Sequence, residues 1–79
     1  MLGHNNEYAC RFYECMDKLK KLGLKGEVSL TAGLVMVSVQ GKENSKPWRK
    51  AIKTACNKTG VIFAENRPTK DFYLFSIKV

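Results

Sequence analysis

The hydrophobic period of this chain switches from helical to extended twice, which leaves few folds open to 79 residues. From Asn5 or Asn6 to Leu22, the residues Tyr8, Ala9, Phe12, Cys15, Met16, Leu19 and Leu22 recur at i, i+3 and i+4. Glu7, Glu14, Asp17, Lys18 and Lys21 fall on the other side, so the segment reads as an amphipathic helix of mixed sign. Asn5 or Asn6 is suited to cap its start and Gly23 to close its end, with Glu7 and the lysines at 18, 20 and 21 matching the helix dipole.

Past Gly26 the period becomes two. Glu27 to Thr31 alternates polar and apolar, Ala32-Gly33 suits a tight turn, and Leu34 to Val39 is apolar on both faces, as a central strand would be. Gly41 to Ser45 has no hydrophobic residue and reads as a connector. Ser45 or Lys46 then opens a second helix, with Pro47 in its first turn and its end near Asn57 to Gly60. A third strand, Val61 to Ala64, is followed by a loop from Glu65 to Asp71 and a fourth strand from Phe72 to Val79.

The expected class is therefore α+β in the order helix, hairpin, helix, hairpin (αββαββ). Each helix has one apolar stripe to bury, so both should pack on one face of a four-stranded antiparallel sheet. The chain is long enough for one compact domain, residues 1–79, and too short for two. At an offset of 36, Phe12, Cys15, Met16 and Leu19 fall on Trp48, Ala51, Ile52 and Ala55, which suggests an αββ pseudo-repeat over 5–40 and 46–79. Two amphipathic helices of similar length would produce the same match.

The second helix carries the strongest functional signal. Trp48, Ala51, Ile52, Ala55 and Cys56 share one side, and Lys46, Arg49, Lys50, Lys53 and Asn57 share the other. No acidic residue lies between Glu43 and Glu65, and Lys46/Lys50 and Arg49/Lys53 are like-charged i,i+4 pairs that weaken a helix slightly. Such a face is built to meet an anion. Fourteen Lys plus Arg against seven Asp plus Glu, a net charge of +7, extend that preference to the whole chain, although net charge also serves solubility.

The candidate anion-binding residues are Lys46, Arg49, Lys50, Lys53 and Lys58, with Arg67 and Lys70 of the last loop as a second contact. Lysines act as point charges on phosphates, and only the two arginines have the forked geometry that reads guanine. Two functions fit. One is a non-enzymatic module binding nucleic acid or a nucleoprotein. The other is a small inhibitor or adaptor, of the kind phages and mobile elements carry, docking on an acidic surface of a host protein. The chain has neither the aromatic RNP signatures of RNA-recognition motifs nor the G-x-x-G loop of KH domains.

No catalytic constellation stands out, so no enzyme and no cofactor are expected. The sole histidine, His4, lies at the N-terminal end, no phosphate-binding glycine loop occurs, and the carboxylates are scattered. A metal site is not expected either. Cys10 and Cys15 are about 140° apart on a helix, and Cys15 and Cys56 read as small buried hydrophobes with Cys10 peripheral. Three cysteines cannot all be paired within the chain, which points to free thiols in a reducing cytoplasm, and neither a signal peptide nor a membrane span is apparent.

Trp48 lies on the apolar stripe, which favours a core anchor over a base-stacking platform. The last strand, Phe72 to Ile77, is apolar on both faces. If the helices cover one face, either Tyr73, Phe75 and Ile77 or Phe72 and Leu74 remain for the other; a protein contact, with Phe72 and Leu74 as candidates and a homodimer through the last hairpin as one form, is set against a fully buried strand and against base stacking.

Overall fold

A computed structural model of the protein describes the backbone of residues 2–31 and 33–78, with side chains described from Ala9 onward within those ranges. Two helices, α1 (Leu2–Lys21) and α2 (Lys42–Thr59), alternate with two hairpins. The first hairpin is β1 (Glu27–Thr31) with β2 (Leu34–Gln40), and the second is β3 (Ile62–Thr69) with β4 (Phe72–Lys78). The fold is α+β, with the strands in the order β1-β2-β4-β3 and every pairing antiparallel.

Both helices lie on one face of the sheet. Val35, Val37 and Val39 of β2 and Tyr73, Phe75 and Ile77 of β4 point toward them and are buried, as period-two alternation requires. Against these pack Ala9, Phe12 and Met16 from α1 and Trp48, Ile52 and Cys56 from α2. Trp48 is fully buried and its Nε1 donates to the Lys25 carbonyl at 3.0 Å, so it is a core anchor and offers no platform to a base. That bond draws the α1–β1 connector tightly over the indole. A Cβ on Gly26 would stand 3.0 Å from both Trp48 Nε1 and the Ser38 carbonyl oxygen, and glycine is the residue that permits the approach.

The two hairpins occupy equivalent places. The β2–β4 register is symmetric about Val37↔Phe75, flanked by Val35↔Ile77 and Val39↔Tyr73, and each hairpin is closed by a threonine, Thr31↔Leu34 and Thr69↔Phe72. In the helices the buried residues Ala9, Phe12 and Met16 correspond to Ser45, Trp48 and Ile52, and no other polar side chain among the described residues is as buried as Ser45.

Several element boundaries differ from the sequence reading, each for an identifiable reason. Helix α1 runs from Leu2 through Asn5 and Asn6, so neither asparagine is its cap; no proline precedes them to stop the helix. It ends in a Schellman arrangement, with the Leu24 N–H donating to the Leu19 carbonyl and the Gly23 N–H to that of Lys20, and this leaves Leu22 exposed. Helix α2 begins at Lys42, making a helical turn of the expected connector. Gly41 ends the strand, Asn44 Nδ2 donates to the Gln40 carbonyl at 2.9 Å and Ser45 Oγ to that of Lys42 at 2.7 Å. Pro47 consequently lies inside the helix and leaves the Glu43 carbonyl without its i+4 donor.

The expected loop from Glu65 to Asp71 is mostly strand. β3 continues to Thr69, and between Asn66↔Leu74 and Thr69↔Phe72 two of its residues, Arg67 and Pro68, oppose Tyr73 alone, which is a bulge. A proline is tolerated there because an edge strand has no partner on its outer side to donate to. The turn shrinks to Lys70 and Asp71. In the other hairpin, Ala32 of the expected turn lies outside the described residues, as does Val79 of the last strand.

Candidate anion-binding surface

Burying Ser45, Trp48, Ile52 and Cys56 fixes the roll of α2 and so decides where each of its cations points. Lys50, Lys53 and Lys58 are exposed, and none lies within ion-pair distance of a carboxylate among the described residues. Lys46 is exposed but stands 3.7 Å from Glu43, one helical turn back. An exposed pair of this kind is worth little, and the lysine remains able to exchange partners.

Arg49 departs from the solvent-facing position that helical spacing assigned to it. It turns toward β3 and holds Glu65 with two hydrogen bonds, Nε to Oε1 at 2.8 Å and Nη2 to Oε2 at 2.7 Å. Its guanidinium also lies over the Tyr73 and Phe75 rings, 5.8 and 5.9 Å from their centroids. The Arg49 guanidinium, bonded to both oxygens, holds the Glu65 carboxyl below the usual carboxylate range, and the bond raises the Arg49 pKa in turn.

Arg67, in the bulge, stacks on Tyr73 at 5.0 Å and donates from Nη2 to the Lys70 carbonyl at 3.2 Å. Both candidate arginines therefore share one tyrosine, Arg49 half-buried and Arg67 exposed. Lys70 is exposed at the tip of the second hairpin. The sequence candidates thus fall into three groups: lysines on the outer side of α2, an Arg49–Glu65–Tyr73–Arg67 cluster beside β3, and Lys70 at a turn.

Between α1 and α2 runs a trough that sequence reasoning missed. No Cα of one helix comes within 8 Å of a Cα of the other among the described residues. Lys50, Lys58 and Arg11 line the opening. Cys15, expected in the core, is exposed along it, and only Cys56 is buried, where burial pushes its thiol pKa up. The available signal was the small size of Ala51, Ala55 and Cys15 at the facing positions. Periodicity marks them as apolar but does not say that they are too short to fill the space.

The sheet face away from the helices carries Leu34 and Met36 on β2 and Phe72 and Leu74 on β4, all half-buried, with Ser38 and Ser76 among them. Ile62 at the β3 edge is 74% exposed. Phe72 and Leu74 thus lie on the uncovered face. Among the described residues no group of three or more His, Cys, Asp or Glu is placed to hold a metal ion, and no helix is long and apolar enough to cross a membrane. The side chain of His4 lies outside the described residues. No protein-family model matches this chain, and no curated protein matches it.

Proposed function

We propose that this protein is a small non-enzymatic binding module that engages nucleic acid through the outer side of α2. The observation that carries this reading is the set of three exposed lysines, Lys50, Lys53 and Lys58, on a segment without an acidic residue from Asn44 to Ala64. Repulsion among them is relieved by a polyanion, and lysines on one helix contact phosphates without reading bases. With Arg49 held by Glu65 and Arg67 stacked on Tyr73, recognition rests on the backbone of the nucleic acid, and sequence preference is weak.

The test is fluorescence anisotropy with a labelled 20-nucleotide single strand and a matching duplex across a salt series. Lys50→Gln, Lys53→Gln and Lys58→Gln together should lower affinity and flatten the log–log salt slope by about 0.9 for each duplex phosphate that is no longer neutralised. A triple variant with the parent's affinity and slope refutes the reading.

A second reading, an inhibitor or adaptor docking on an acidic protein, is favoured by the apolar floor of the trough between Lys50 and Lys58, which nucleic acid would leave uncovered. In either reading the open sheet face with Phe72 and Leu74 serves a protein contact, and a second copy of the chain is its simplest occupant.

A further inference from the structure

The trough has a floor and a rim of different chemistry. Met16 and Leu19 of α1 and Ala51 and Ala55 of α2 form the floor, while Lys50 and Lys58 stand at its edge. It continues past Cys15 toward Phe12 and Arg11, and the two stretches have volumes of about 540 and 350 Å³. No aspartate or glutamate lines either one.

We propose that this trough is the docking site for an amphipathic helix of a partner protein, one that bears glutamate or aspartate beside its apolar stripe. The proposal rests on the second reading above, a protein partner, and names the element of that partner that is bound.

Charge complementarity selects the sign. Three cations and no acid along the rim repel a basic helix and attract an acidic one. The floor selects the class. The charged backbone of a nucleic acid would leave Leu19 and the alanines uncovered, whereas a helix presents an apolar stripe at i, i+3, i+4 and i+7. A small ligand is also a poor fit, because such sites enclose most of their ligand and this trough is open along its length.

The dimensions agree. From Pro47 to Lys58 the trough follows α2 for about 16 Å, or three turns, at about 1.5 Å per residue. Short side chains at Ala51, Ala55 and Cys15 let a third backbone approach to the usual interaxial distance of about 8–10 Å. The apolar stripe of that helix would complete the helix–helix contact that α1 and α2 do not make with each other.

The probe is a fluorescein-labelled, end-blocked 18-residue helical peptide with leucine on one face and glutamate flanking it. A second peptide has lysine in place of glutamate, and the 20-nucleotide single strand is titrated alongside. The glutamate peptide should bind and the lysine peptide should not. Ala51→Gln with Ala55→Gln puts amides on the floor at half-buried positions; it should weaken peptide binding by about tenfold or more and leave oligonucleotide binding within about twofold. Lys50→Gln with Lys58→Gln, both exposed, should weaken the peptide by a similar factor and remove most of its salt dependence. Unchanged Trp48 emission certifies the fold of each variant. Failure of the glutamate peptide to bind, or binding that the floor variant leaves intact, overturns the proposal. Oligonucleotide binding without peptide binding removes the trough proposal alone; peptide binding without oligonucleotide binding supports it and removes the nucleic-acid reading.

Discussion

Replacing Glu65 by Gln asks whether Arg49 belongs to the scaffold or to the binding face. Arg49 and Glu65 are joined by two short hydrogen bonds, which argues for more than a loose surface pair, but their side chains are 37% and 26% exposed. Solvent screening at that exposure places the pair near the upper end of surface ion pairs, about 1 kcal/mol. For a chain of this size that corresponds to a fall in Tm of roughly 5 °C. Arg49→Gln also gives up the contact with the Tyr73 and Phe75 rings and should cost about 0.5 kcal/mol more.

The charge component carries a pH signature. The folded chain holds the Glu65 carboxyl below its usual range, so the pair stabilises fully above the unfolded pKa of about 4.3 and fades as the pH falls through the folded value. Urea unfolding followed by Trp48 emission should therefore separate parent from Glu65→Gln at neutral pH and bring them together as the pH falls below the folded pKa of Glu65. A double-mutant cycle with Arg49→Gln should return a coupling of about 1 kcal/mol. Arg49→Gln should also leave the salt slope of oligonucleotide binding where it was, in contrast to the lysine triple variant. A coupling indistinguishable from zero, or a stability gap that persists unchanged in acid, would show that the pair is not what holds Arg49 against the sheet.

Two further outcomes are expected. Gly26→Ala forces a Cβ to within 3.0 Å of the Ser38 carbonyl oxygen and of Trp48 Nε1, and should lower stability by about 1–3 kcal/mol, read as a shift of the urea midpoint at constant slope; a midpoint equal to the parent's would mean that the connector relaxes freely. Self-association through the open sheet face should make the weight-average mass rise with concentration in light scattering, and Leu74→Glu should hold it at that of one chain, whereas a parent that stays monomeric at every concentration rules out the homodimer.

How much of this protein its sequence determines can be followed residue by residue. The change from a period of 3.6 to one of two after Gly26 and again after Gly60 marked out two helices and two hairpins, because side-chain direction in either element follows from backbone geometry alone. The same geometry put Phe12, Met16, Trp48 and Ile52 beneath the helices and Phe72 and Leu74 on the opposite face from Tyr73 and Phe75. Ends were less legible where polar residues continue an element: Lys42 to Ser45 joined α2, and Glu65 to Thr69 joined β3, the last of them through a bulge.

Tertiary structure alone decided what the cations do. Helical spacing groups Arg49 with Lys50 and Lys53, but only the arrival of Glu65 and Tyr73 from the second hairpin, remote in sequence, takes Arg49 out of that group. The trough is likewise a product of two elements. Neither helix shows it by itself, since it is the distance between α1 and α2 on the sheet that leaves Ala51, Ala55 and Cys15 too short to meet. Periodicity is a property of one segment, whereas a pocket or an ion pair belongs to two segments, and their separation is fixed by packing.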